Sequence, residues 1–138
     1  MSPDLDAILC TRYPGIFGER HNPTSPMANG ITCGDGWFTL IDCLFHRIEV
    51  DAKEQQREPP VARQVKEKLG GLRIYWHNAT EVDQALTQLA ADLSFRMCEV
   101  CAAPGELVLS QRNGLLVLCS AHREGVPSNQ TDRDCRTS

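Results

Sequence analysis

The spacing of apolar and polar positions divides the chain into an irregular opening, a patterned middle and a polar tail. Over residues 1–33, Pro3, Pro14, Gly15, Gly18, Pro23, Pro26 and Gly30 interrupt any regular element. Ile8, Tyr13, Ile16, Phe17 and Ile31 are nevertheless scattered among them. This pattern predicts a flexible N-terminus over residues 1–11, then an ordered strap packed on the rest of the domain. From Asp35, which can cap free backbone N–H groups, Trp37, Leu40, Ile41, Leu44, Phe45 and Ile48 recur at helical spacing. Asp42, His46 and Glu49 fall on the opposite face, and Cys43, at the margin of the apolar face, is expected to pack. The polar run over residues 51–60 ends this helix and closes on Pro59 and Pro60.

Residues 61–76 fit two strands around Gly70 and Gly71, since a Gly-Gly pair tolerates the positive φ values of a tight hairpin turn. A helix over Val61, Val65 and Leu69 is the competing reading, and the strand over residues 72–76 is common ground for the hairpin. Thr80 followed by Asp83 resembles a capping box, with Asp in place of the usual Glu or Gln. Val82, Ala85, Leu86, Leu89, Ala90, Leu93 and Met97 then trace one helical stripe that is expected to face the core. From residue 126 the chain is polar without periodicity, which predicts a disordered tail over residues 126–138. The whole is read as a single α+β domain over residues 12–125, with two main helices, a β-hairpin and a metal-binding hairpin.

The strongest chemical signal follows the second helix. Cys98 and Cys101 are separated by two residues, seventeen residues follow, and Cys119 and His122 are again separated by two. Two intervening residues let a tight turn aim both side chains at one ion, and thiolate sulfur with imidazole nitrogen suits tetrahedral zinc. Leu107, Val108 and Leu109 read as one strand, Arg112-Asn113-Gly114 as a hairpin turn, and residues 115–118 as the returning strand. The spacing predicts one structural zinc held by Cys98, Cys101, Cys119 and His122, in a zinc-ribbon or treble-clef-like unit. Four protein ligands close the coordination sphere, whereas a catalytic zinc keeps an open position.

The 138 residues are 41% apolar and carry a formal charge of -4, which argues against a general nucleic-acid binder, since those carry a clustered basic excess. The first ten residues have no basic cluster and no long apolar run, so no secretory signal is expected and the default setting is the cytoplasm. Seven cysteines cannot all pair within the chain, and clustered thiols in a reducing compartment favour metal. Cys33, in the run Cys33-Gly34-Asp35-Gly36-Trp37, lies at the start of the first helix, where a thiol pKa falls. With His21 or His46 it forms a candidate nucleophile pair, set against the simpler reading of a glycine-assisted turn with a Trp anchor. Cys135, in the tail, is read as a free thiol. Lys66, Lys68 and Arg73, with nearby Tyr75 and His77, make the hairpin the candidate partner-binding surface.

The segment Cys33–Gly–Asp–Gly–Trp37, the stretch Gln64-Val-Lys-Glu-Lys-Leu-Gly-Gly-Leu-Arg-Ile-Tyr75 and the CxxC…CxxH unit together resemble a family of small uncharacterised proteins encoded in bacteria, prophages and phages. Leu69 stands where that family's glycine motif has an aromatic residue. The resemblance covers roughly residues 12–123 and carries no catalytic residue. It implies a phage-type accessory protein that binds a host protein or nucleoprotein complex, such as a restriction or CRISPR complex, and inhibits it. A nucleic-acid-binding zinc module and an enzyme using Cys33 are the alternatives. Arg112 is the only basic residue between Cys98 and Cys119, which counts against the former.

Overall fold

A computed structural model describes residues 1–123. The disordered tail and the free thiol at Cys135 expected from the sequence lie outside the described residues. Among the described residues, three α-helices and two antiparallel hairpins form the α+β domain: α1 (Pro3–Arg12), α2 (Phe38–Glu54), β1 (Val61–Lys68), β2 (Gly71–His77), α3 (Glu81–Ser94), β3 (Glu106–Ser110) and β4 (Gly114–Leu118). Among the described residues, no helix is long and apolar enough to cross a membrane.

The N-terminal residues, expected to be flexible, instead form α1. Pro3 is tolerated in a first turn, where its missing N–H would have no partner. Asp4 and Asp6 near the N-terminus and Arg12 in the last turn suit the helix dipole. Two buried groups hold the helix down. Leu9 is fully enclosed, and the buried Asp6 carboxylate pairs with Arg20 at 3.0 Å and accepts the Ile31 N–H at 2.8 Å. A single buried leucine and one buried ion pair leave no periodic stripe in the sequence, so the pattern of apolar positions could not reveal this element.

The strap is ordered as expected, with Ile16, Phe17, Met27 and Ile31 in the core. It also extends the sheet. Thr32 lies parallel to β1, donating its N–H to the Val65 carbonyl and accepting that of Glu67, both at 3.0 Å. Phe45 of α2 sits at the centre of the core, where the rings of Tyr13, Phe17 and Trp76 approach it edge-on at 5.8, 5.5 and 5.6 Å. Leu40, Ile41, Leu44, Phe45 and Ile48 are buried as their spacing predicts, but Cys43 is exposed rather than packed. Asp35 does not cap α2. It opens a short turn over Asp35–Trp37, and its carboxylate accepts the Ser2 N–H at 2.6 Å.

The hairpin reading of residues 61–77 holds, with the turn displaced by one residue. Lys68 pairs with Gly71, so the two turn residues are Leu69 and Gly70, both with positive φ (54° and 86°). Gly71 begins β2. Its lack of a side chain serves packing, because a Cβ there would stand 2.4 Å from the Phe95 ring.

α3 carries the expected capping box: Asp83 N–H donates to the Thr80 hydroxyl at 3.2 Å, and the Asp83 carboxylate accepts the Thr80 N–H at 2.9 Å. Its buried face matches the predicted stripe only in part: Ala90 is buried, and Leu86 and Met97 pack partly buried against the core. Asp83, Ala90, Ala91 and Ser94 point inward, while Val82, Leu89 and Leu93 are exposed. The fully buried Asp83 fixes the helix rotation. Its second oxygen meets Arg57 at 2.8 Å, and Arg57 also holds Asp51 at 2.9 Å. Small residues then let α3 approach β2, where the Ser94 hydroxyl accepts the Leu72 N–H at 2.9 Å.

Candidate metal centre

Beyond α3 the chain forms a tight knuckle. The Cys98 N–H donates to Ala103 O at 2.8 Å, and Ala102 N–H donates back to Cys98 O at 2.9 Å. Ala102 adopts a φ of 67°, the left-handed conformation that reverses the chain just after Cys101. Gly105 N–H then reaches Arg96 O at 3.0 Å, and β3 and β4 pair in register from Glu106 with Leu118 to Ser110 with Gly114. The returning strand delivers Cys119, and His122 N–H closes a second turn on Cys119 O at 3.1 Å. The two halves are sewn together where Glu99 N–H donates to Val117 O at 2.9 Å.

This backbone brings Cys98, Cys101, Cys119 and His122 together, one ligand atom from each lying within 4.8 Å of every other. The Cys101 and Cys119 sulfurs are 3.7 Å apart, well beyond a covalent S–S bond of about 2.05 Å. His122 Nδ1 lies 3.2 Å from Cys119 Sγ and 3.6 Å from Cys98 Sγ. Cys98 and Cys119 are buried, and Cys101 and His122 face outward. Burial pushes the Cys98 thiol up, but backbone N–H groups of Cys119, Val100 and Cys101 outweigh it and lower its pKa. At Cys119 burial is likewise overcome, mainly by hydrogen bonds from His122, bringing the thiol down to about 6. A pocket that favours thiolate at two positions is compatible with a metal ion, since the thiolate is the ligand. Val108, Leu116 and Leu118 pack beside these ligands as a small second core.

The sequence reading missed how this knuckle is held. The glycines of the Cys33–Trp37 segment form its seat. Gly34 and Gly36 have ordinary backbone angles, but a Cβ on Gly34 would stand 2.2 Å from Glu99 O, and one on Gly36 would stand 2.3 Å from Cys98 O. Gly36 N–H donates to Glu99 O at 2.8 Å, and the Trp37 indole N–H donates to Met97 O at 3.0 Å. One Glu99 carboxylate oxygen accepts the Gly34 N–H at 2.9 Å; the other is buried without a hydrogen-bond partner among the described residues. Burial pushes the Glu99 carboxyl pKa up. A Gly-x-Gly run before a helix signals close backbone contact, but not with which segment.

Cys33 does not fit the role of a nucleophile. It is buried, and burial pushes its thiol up to about 12, the opposite of the lowering expected at a helix start. Its candidate partners His21 and His46 are both exposed.

The partner-surface residues are placed on one face of the β1–β2 hairpin. Lys66 lies directly across from Arg73, and its ammonium sits 5.7 Å from the centre of the Tyr75 ring. Lys68 flanks the turn, and His77 lies at the far end, opposite Val61 beyond a bulge. The opposite face sends Val65, Leu72 and Ile74 into the core. Lys66, Lys68 and Arg73 make no ion pair among the described residues.

In comparisons with known proteins, no family model, no curated protein and no solved structure matches the chain.

Proposed function

We propose that the Cys98, Cys101, Cys119 and His122 cluster holds one structural zinc ion, and that the chain is a non-enzymatic interaction protein of phage or prophage type. In this reading the stapled domain presents the outer face of β1–β2 to a host macromolecule and inhibits a defence complex of the restriction or CRISPR class. The distances within the cluster support the zinc assignment. Zinc–sulfur bonds of about 2.3 Å and zinc–nitrogen bonds of about 2.0–2.1 Å give tetrahedral edges of about 3.8 Å between sulfurs and about 3.5 Å between sulfur and nitrogen. Three of the six separations, 3.7, 3.6 and 3.2 Å, are close to those edges, and all six lie within 4.8 Å. With four protein ligands the ion is a staple, and function falls to the surface.

The observation that carries the surface assignment is the row of three cations on one sheet face without ion-pair partners among the described residues, beside an exposed tyrosine. Arg and Tyr are frequent hot spots once desolvated at an interface, and a negatively charged partner surface would complete this row. The test is capture from host lysate by the zinc-loaded protein, compared with Lys66→Glu combined with Arg73→Glu. Capture should fall at least tenfold. Capture unchanged within about 0.5 kcal/mol, the size of an ordinary surface substitution, would remove the hairpin as the interface. Loss of capture after nuclease treatment would instead favour the nucleic-acid reading.

A further inference from the structure

α3 leaves an apolar line on the surface. Val82, Leu89 and Leu93 are 51%, 57% and 42% exposed, and Leu86 between them is half-buried, with one side packed against the core. Positions 82, 86, 89 and 93 step by four, three and four residues, the spacing of a seam between paired helices. The seam lies to one side of the face that α3 buries through Asp83, Ala90, Ala91 and Ser94. It therefore remains available after the domain has folded. A contiguous exposed apolar line of this kind marks a contact surface.

Charges at the two ends of α3 select the occupant. Glu81 begins the helix, and Arg96 follows its last turn. Both are exposed, and neither makes an ion pair among the described residues. Consider α3 packed antiparallel against α3 of a second copy, with the twofold axis between Leu86 and Leu89. Leu86 then meets Leu89 of the copy, Val82 meets Leu93, and Glu81 comes beside Arg96 at both ends. Asp92 falls near the neutral Ala85. A parallel pairing would instead put both copies' Glu81 at one end of the seam and both copies' Arg96 at the other, so that neither charge meets its complement. A twofold interface must be complementary to itself, and the antiparallel register meets that condition in both apolar spacing and charge.

We infer that the chain self-associates through α3, as an antiparallel twofold dimer closed by Val82, Leu86, Leu89 and Leu93 and oriented by Glu81 with Arg96. One pair of 14-residue helices buries less than the roughly 800 Å² per partner of a standard stable interface. The dimer is accordingly weak and depends on concentration.

Sedimentation equilibrium of the full zinc-loaded chain, over a roughly hundredfold range of protein concentration, tests this directly. The mass should rise from one chain toward two. Leu89→Glu, at an exposed position, should hold it at one chain while leaving zinc content and the near-ultraviolet circular dichroism unchanged. Glu81→Arg alone and Arg96→Glu alone should each weaken association, and the two together should restore it. A mass of one chain at every concentration would overturn the inference. So would a dimer indifferent to Leu89→Glu, or a double charge swap that fails to recover association.

Discussion

The Gly36 N–H donates to the Glu99 carbonyl oxygen at 2.8 Å, joining the turn that starts α2 to the residue after the first ligand of the cluster. Residues 63 positions apart thereby fix where the knuckle sits on the domain. Three sequence motifs meet at residues 94–99. The Cys33–Trp37 segment seats Cys98 and Glu99, β2 engages Ser94 and Phe95 through Leu72 and Gly71, and Cys98 opens the ligand set.

Gly36→Ala should therefore act on both stability and metal affinity. Its Cβ would meet the Cys98 carbonyl oxygen at 2.3 Å and the Glu99 carbonyl carbon at 2.7 Å, and backbone cannot swing aside as a flexible side chain can. Overpacking of this kind costs about 1–3 kcal/mol, and displacement of Cys98 should weaken metal binding alongside it. At Gly114 a Cβ meets nothing within 4 Å, so Gly114→Ala should incur only the conformational penalty of its φ of 72°, about 1 kcal/mol, with metal affinity unchanged. Urea unfolding and a competitive chelator titration of the two variants would separate these effects.

Leu69→Asn should stabilise the protein. Leu69 is 65% exposed and is held at a φ of 54° in a two-residue turn followed by Gly70. A left-handed conformation costs an ordinary residue roughly 1–2 kcal/mol, while Asn-Gly is a favoured pair for a hairpin turn with two positive φ values. A gain of about 1 kcal/mol, or about 3–5 °C in Tm, is expected in a thermal melt. No change, or a loss, would show that Leu69 makes a contact worth more than the relieved strain.

Cysteine reactivity should divide by burial. At pH 7–8 Cys33 remains a protonated, enclosed thiol, because its pKa of about 12 lies far above the working pH. It should resist iodoacetamide in the native protein and react once unfolded. Cys43, exposed on α2, should label in the native state. Peptide mapping by mass spectrometry reads both positions. Rapid native labelling of Cys33 would restore it as a candidate nucleophile.

The parts of this molecule that are legible in its sequence are those set by local chemistry. Three cysteines and a histidine in two close pairs, separated by a short hairpin, define the candidate metal site because each half is a tight turn. The core face of α2 is legible because its buried residues are large and periodic. On α3 the same reading is right only in part: Ala90 is buried and Leu86 packs against the core, but the helix is oriented by Asp83 with Arg57, which leaves Val82, Leu89 and Leu93 outside. α1 rests on Leu9 and on the pairing of Asp6 with Arg20, which a one-dimensional pattern does not weight. The glycines at 34, 36 and 71 announce close contacts whose other halves are some 24 to 65 residues further along the chain, a relation that exists only after folding.

Removing the ion should loosen the two hairpins unequally. Small metal-bound units draw much of their folding free energy from the ion, and β3–β4 adds only the small apolar cluster of Val108, Leu116 and Leu118. The α2 helix and β1–β2 share the main core around Phe45. After chelation, hydrogen exchange should accelerate across residues 98–119 and much less across α2. Equal acceleration in both regions would mean that the domain unfolds as one unit when the metal leaves.

The central claim, a zinc staple formed by four protein ligands, is tested most directly by elemental analysis of native protein purified without chelators. The expected content is about one zinc per chain, lost in Cys98→Ser and in Cys119→Ser and retained in Cys43→Ser. Native protein containing no zinc, or zinc that survives both ligand substitutions, would contradict it.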